Sequence, residues 1–269
     1  MNADKVMSLV SWSLLENSIA VLTLDDARHR NALTQSLAEE FEIVVGEIAR
    51  DPNVRCLVLT ARPPVFSAGG DFAMLTSLSQ AARGGEDTSS ATRAYYSRFF
   101  SLLDVPVPTI AAVSGNAVGA GVTLSLLCDM AVVARDATMR VDFTRLGLHP
   151  GMATSGLLPD RIGSQRAAHL LFAGAKVTGE EAVTIGLALE ACDAEDVMDR
   201  ALSIARDIVK AAPLPTRELV DSLRERIRAI TKEAAIRESG FQAKDLASAD
   251  FAEALRAVSK RETPAFMGR

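Results

Sequence analysis

The sequence predicts an α/β core followed by a helical tail, and three observations carry that reading. Up to about residue 150, short β-branched apolar runs alternate with stretches of helical periodicity. Two of those runs end in glycine-rich turns, and beyond Pro159 the helical period continues for most of the chain. Strand–helix alternation is the pattern of a sheet covered by helices. A succession of helices after it must bury apolar faces against one another or against another subunit. The length of 269 residues suits one large domain with an appendage, an α/β core over 1–195 and a helical region over 196–269.

The elements follow in order. Residues 12–24 read as two strands around an Asn17-Ser18 turn. A polar loop over 25–31 leads to Thr34, which is placed to cap a helix with Leu37, Phe41, Val44, Val45 and Ile48 at helical spacing. Asp51-Pro52-Asn53 breaks that helix, and 56–60 is a short buried strand running into the turn Phe66-Ser67-Ala68-Gly69-Gly70-Asp71-Phe72. Small and polar residues over 76–92, with Gly84-Gly85 among them, predict a mobile surface loop. A helix over 95–103 follows, then a strand ending at Ser114-Gly115-Asn116-Ala117-Val118-Gly119-Ala120-Gly121 and a buried helix. Strands are expected over 130–134 and 139–142, a loop over 146–151, and helices over 163–173, 179–186, 194–211 and 213–239. Asp160-Arg161 reads as a surface ion pair, and Asp129 as a strand-entry or helix-end residue.

The two glycine turns hold the chemistry. The first amides of a helix have no partner within it, and the helix dipole makes them a site for negative charge. Two such turns on neighbouring strands can aim two N–H groups at one oxygen, the geometry of an oxyanion hole.

Composition narrows the partners. A net charge of −5, with no basic run interleaved with aromatics, speaks against nucleic acid. No apolar run reaches membrane-spanning length, and the opening residues 1–5 lead into no signal-peptide core. Cys56, Cys128 and Cys192 are isolated, which fits a reducing, cytoplasmic setting and offers neither a disulfide framework nor a metal-ligand spacing. The Gly115/Gly119/Gly121 pattern also fits a dinucleotide-binding turn, but it lies mid-chain, and Tyr95 and Tyr96 have no lysine at a catalytic spacing. A serine hydrolase fits poorly, because no Gly-x-Ser-x-Gly elbow is present.

Taken together, FSAGGD, SGNAVGAG and the later LGLHPG resemble the crotonase (enoyl-CoA hydratase/isomerase) family. The resemblance extends to RHRNAL at 28–33, TGEEAVTIGL at 178–187 and KRETPAF at 260–266, and so covers nearly the whole chain. It implies a crotonase-like spiral of repeated ββα units with a helical C-terminal trimerisation region, assembled as a homotrimer or a dimer of trimers. It further implies an acyl-CoA thioester as substrate and no separate cofactor. Carried onto this chain, the oxyanion hole is formed by the backbone amides of Gly70 and Ala120. Ala68, Asp71 and Phe72 then line the CoA pocket, Arg28 and Arg30 flank the CoA, and Lys260, from a neighbouring subunit's last helix, reaches a phosphate.

The chain departs from the family pattern where hydratases carry two glutamates. Those positions fall on Thr123 and Phe143. Each positioned proton-transfer group contributes roughly 10²–10⁴ in rate, so classical hydration is not expected. Asp142 is one residue away, but in a strand such a shift turns the side chain to the opposite face. His149 is placed beside the expected acyl pocket and suits proton transfer. Two readings remain: an acyl-CoA enzyme of the lyase or isomerase class that uses the oxyanion hole without the glutamates, or a non-catalytic acyl-CoA carrier or sensor of the same fold.

Overall fold

A computed structural model describes residues 8–15 and 18–269. Strands β1 (Val10–Leu15) and β2 (Ile19–Leu24) pair antiparallel. Of the expected turn between them, Asn17 lies outside the described residues, as do residues 1–5. Helix α1 (Gln35–Arg50) begins as expected at Thr34, whose hydroxyl accepts from the Leu37 N–H at 3.2 Å. The chain continues through β3 (Cys56–Ala61), β4 (Val65–Ser67), α2 (Phe72–Arg83) and α3 (Ser89–Phe100). Next come β5 (Thr109–Val113), β6 (Asn116–Val118), α4 (Ala120–Leu126), β7 (Met130–Ala134) and β8 (Thr138–Arg140). After a 3₁₀ turn at Phe143–Leu146 follow α5 (Thr154–Ile162), α6 (Ser164–Ala173), β9 (Lys176–Thr178), α7 (Gly179–Ile185) and β10 (Glu190–Cys192). The last elements are α8 (Val197–Ile208), α9 (Pro213–Ala247) and α10 (Ala249–Lys260).

The strands form two sheets, one ordered β1-β2-β3-β5-β7-β10 and the other β4-β6-β8-β9. Three successive strand pairs, β3/β4, β5/β6 and β7/β8, each give their first strand to the large sheet and their second to the small one. The chain therefore winds as a spiral of ββα turns. Period-2 alternation fills both faces of the large sheet. Leu57, Leu59, Ala111 and Val113 face the main core beneath α1 and α3. Cys56, Val58, Ile110 and Ala112 face Val197, Ala201 and Ala205 of α8. Burial raises the Cys56 and Cys128 thiols to about 12, so both sit in the core as inert thiols.

The expected loop over 76–92 is instead two helices joined at 84–88. Asp71 caps the first by accepting from the Ala73 and Met74 N–H groups. Leu75, Ser79 and Ala82 form its buried stripe, and the Ser79 hydroxyl donates to the Leu246 carbonyl of α9 at 2.6 Å. The small residues that look loop-like in the sequence let α2 pack closely on α9.

Helix α9 extends beyond the expected 213–239 to Ala247 and is fastened to the sheet by Arg224. That guanidinium is 2% exposed, pairs with Asp129 at 2.6 Å, and donates to the Val105 and Val107 carbonyls at 2.6 and 3.0 Å. Asp129 also accepts the Thr109 N–H at 2.7 Å, so one carboxylate ties β5 to α9. Asp160 and Arg161 do not pair with each other: Asp160 faces Arg226, and Arg161 donates to the carbonyls of Leu126, Cys128 and Asp129.

Candidate active site

The first glycine turn is held by the polar loop before it. Asn31, at φ 52, accepts the Asp26 N–H at 2.8 Å and donates to the Val65 carbonyl at 2.8 Å. The Ser67 hydroxyl donates to the Asn31 carbonyl at 2.7 Å and accepts the Gly69 N–H at 3.1 Å, while the Leu33 N–H donates to the Gly69 carbonyl at 2.8 Å. This network sets Gly69 at φ 87, where a β-carbon would lie 2.4 Å from the Val118 carbonyl oxygen and 3.7 Å from the Ala120 nitrogen. The two turns thus meet backbone to backbone, which only glycine permits.

In the second turn Gly119, at φ 52, donates its N–H to the Arg140 carbonyl at 2.7 Å, and Ala120 opens α4 without left-handed backbone. Among the described residues, neither the Gly70 N–H nor the Ala120 N–H has an acceptor. Ala120 is 3% exposed. Buried donors without partners are uncommon and costly. Both residues border one cavity of about 420 Å³.

Of the residues expected at the CoA end, Ala68, Phe72 and Arg30 line this cavity. Asp71, Arg28 and Lys260 do not: Asp71 is engaged as the α2 cap, and Arg28 and Lys260 are exposed. Helix α10 packs on its own chain, with Phe251 against Leu75, Leu148 and Leu246, and brings Val258 to the cavity wall. The far side is built by Leu148, which belongs to the LGLHPG motif, and by Tyr95, Tyr96 and Gln242, which lie in none of the motifs. Tyr96 donates to the Gln242 side chain at 3.2 Å, and Gln242 donates to the His149 carbonyl at 2.9 Å. Burial pushes both tyrosines up, Tyr96 to about 12, so each stays a neutral phenol.

His149 is absent from this wall. Its ring lies tilted against Phe241 with centroids 4.9 Å apart, its Nδ1 lies 2.8 Å from the Pro150 carbonyl, and it faces a separate surface cleft beside Phe172 and Asp245. The expectation that His149 borders the acyl pocket is corrected: the peptide after Leu148 turns back toward α9, held by Asp245, which accepts the His149 N–H at 2.7 Å.

Thr123 is fully buried in α4, with its hydroxyl 2.5 Å from that of Thr154. Thr154 donates to the Gly151 carbonyl at 2.6 Å, so the Thr123 proton is committed to Thr154. Phe143 lines the cavity, and so does Asp142. The strand argument that separated these two neighbours fails, because β8 ends at Arg140 and Phe143 opens the 3₁₀ turn. The backbone curls there, and both residues border one space. The Asp142 side chain is 11% exposed and pairs with Arg140 at 2.8 Å. Burial pushes its carboxyl above the ordinary value, with Arg140 and Arg145 pulling the other way. Among the described residues, no group of three or more His, Cys, Asp or Glu side chains stands together to hold a metal ion.

The model of the enoyl-CoA hydratase/isomerase family matches residues 15–269. The chain belongs to that family. Among enoyl-CoA hydratase/isomerase relatives, the probable enoyl-CoA hydratase EchA14 of Mycobacterium tuberculosis is 32% identical over 257 residues, covering 92% of this chain and 96% of its own. An enoyl-CoA hydratase/isomerase crystal structure from Pseudoalteromonas atlantica superposes with a TM-score of 0.83 at 27% identity, over 96% of this chain and 100% of that one. Pseudomonas aeruginosa OdaA superposes with a TM-score of 0.81 at 31% identity, over 94% and 99%. The crotonase-like fold expected from the motifs is the fold observed.

Proposed function

We propose that the chain is an enzyme that binds an acyl-CoA thioester in the 420 Å³ cavity and stabilises its enolate oxygen through the Gly70 and Ala120 amides. The observation that carries this reading is the pair of N–H groups without acceptors among the described residues, on two turns forced together by Gly69. Donors preorganised for a developing oxyanion cost no reorganisation when charge appears. A carrier has little use for them, which favours catalysis over the non-catalytic reading. Ala68, Phe72 and Arg30 mark the CoA end, and Phe143 and Leu148 the acyl end. Neither Thr123, fully buried, nor Phe143 offers a carboxylate, so the reaction is an enolate chemistry other than two-glutamate hydration. The exposed Leu214, Leu219 and Leu223 of α9 support self-association as a trimer or a pair of trimers, and the buried Cys56 and Cys128 suit the cytoplasm.

Calorimetric titration with a panel of acyl-CoAs, followed by incubation and product analysis by mass and NMR, tests this. Binding with turnover is expected; a loss of carbon dioxide, a release of free CoA or a moved double bond names the reaction. Rapid hydration of crotonyl-CoA would refute the argument from Thr123 and Phe143. Tight binding with no chemical change would establish a carrier, and failure to bind any CoA ester would end the reading.

A further inference from the structure

We propose that Asp142 is the acid–base residue of this site, taking the proton from the α-carbon of the bound thioester and returning it. The inference rests on the acyl-CoA reading above and deepens it. Among the described residues lining the cavity, Asp142 carries the only carboxyl group. The other groups there that exchange protons are ruled out by their bonding or their charge. Tyr95 donates to the Leu33 carbonyl and Tyr96 to Gln242, both as neutral phenols. Arg30 and Arg140 are permanent cations. His149 faces a different cleft, and Thr123 spends its proton on Thr154.

Backbone register places Asp142 beside the oxyanion turn. Strand β6 pairs with β8 in parallel with Val118 opposite Arg140, and Ala120 and Asp142 each stand two residues further on. The Gly119 N–H bond to the Arg140 carbonyl, at 2.7 Å, locks that register. Arg140 holds Oδ2 of Asp142 at 2.8 Å. The ion pair fixes the carboxyl group of a residue that borders the cavity. A partly buried carboxylate beside two cations, Arg140 and Arg145, is less solvated than in water, which suits a base.

The step balances without a further reactant. Oδ1 of Asp142 takes the α-proton, and the C–H electron pair becomes a double bond between the α-carbon and the carbonyl carbon. The carbonyl π pair moves onto oxygen, facing the Gly70 and Ala120 amides. Return of the proton to the α-carbon restores the ester; its delivery to the γ-carbon of an unsaturated ester moves the double bond.

The test is exchange of the α-hydrogens of butyryl-CoA in deuterium oxide, read as a mass increase and located by NMR, alongside calorimetric binding of the same ester. The unmodified protein is expected to bind and exchange. Asp142→Asn is expected to bind within about threefold of it and to exchange at least 100-fold more slowly, as the loss of one positioned base implies, roughly 10²–10⁴. Asp142→Glu should recover part of the rate. Should the Asn variant misfold, Asp142→Ala takes its place in the comparison. Exchange by the folded variant within threefold of the unmodified protein overturns the assignment, as does binding by the unmodified protein with no exchange; both leave the acyl-CoA reading standing. Failure of the unmodified protein to bind butyryl-CoA or any longer acyl-CoA removes both.

Discussion

The ring of Phe143 lies 3.7 Å from the point where a β-carbon on Gly119 would stand. That glycine, at φ 52 and ψ −119, leads into Ala120, and Gly119, Ala120 and Phe143 all border the cavity. Gly119→Ala places a side chain on a backbone conformation that L-residues avoid, at a cost of about 1–3 kcal/mol. The variant is expected to melt lower and to lose at least tenfold in turnover, because the relaxed turn no longer directs the Ala120 amide. Melting and turnover measured on the same preparation check this; a lower melting point with full turnover would separate the turn from the chemistry.

Thr123→Val asks whether the residue at a vacant glutamate position does any chemistry. The Thr123 hydroxyl serves only Thr154, which keeps its own bond to the Gly151 carbonyl at 2.6 Å after the substitution. The loss is one hydrogen bond between buried hydroxyls, about 1 kcal/mol. Turnover is expected to stay within threefold. A fall beyond tenfold with acyl-CoA affinity unchanged would mean that Thr123 acts on the substrate.

The spiral core was legible because its signals are local. In β3 and β5, alternate residues serve two different cores, and the resulting unbroken apolar runs read as buried strands. The turns at Gly69 and Gly119 were equally plain, since backbone forced to positive φ leaves glycine in the sequence. Helix α2 was not legible. Its buried stripe is only Leu75, Ser79 and Ala82, and it makes sense only once α9 lies against it. Gln242 and Val258 reach the cavity from α9 and α10, more than a hundred residues after the glycine turns, with no motif of their own. The strand expected to run to Asp142 stops at Arg140, so the rule that a one-residue offset reverses a side chain does not apply between Asp142 and Phe143.

Arg224 offers a test of how α9 is held. Arg224→Ala leaves Asp129 without its cation and removes the donors to the Val105 and Val107 carbonyls. Breaking a buried pair by removing one partner costs about 3–5 kcal/mol. For a chain of this size that corresponds to a melting temperature lower by roughly 6–20 °C. Scanning calorimetry checks the value. A fall of under about 2 °C would show that α9 is held by its other contacts and not by this ion pair.

Glu238 should make stability depend on pH. It is fully buried on α9, and its two carboxylate oxygens accept the Ala153 and Ser155 N–H groups at 2.6 and 2.7 Å, holding the loop that leads into α5. Burial raises it from 4.5 to about 7, against the downward pull of those donors and of Arg237. Between these values the folded chain binds more protons than the unfolded chain, so stability falls as pH rises through that window and levels off above it. The shift is 7 − 4.5 = 2.5, which corresponds to about 3 kcal/mol. Glu238→Gln removes the titration. The melting temperature of the unmodified protein, measured relative to that variant, is expected to drop by roughly 5–10 °C from pH 5 to pH 8. A difference that stays constant across this range would show that the backbone donors, not desolvation, set the charge of Glu238.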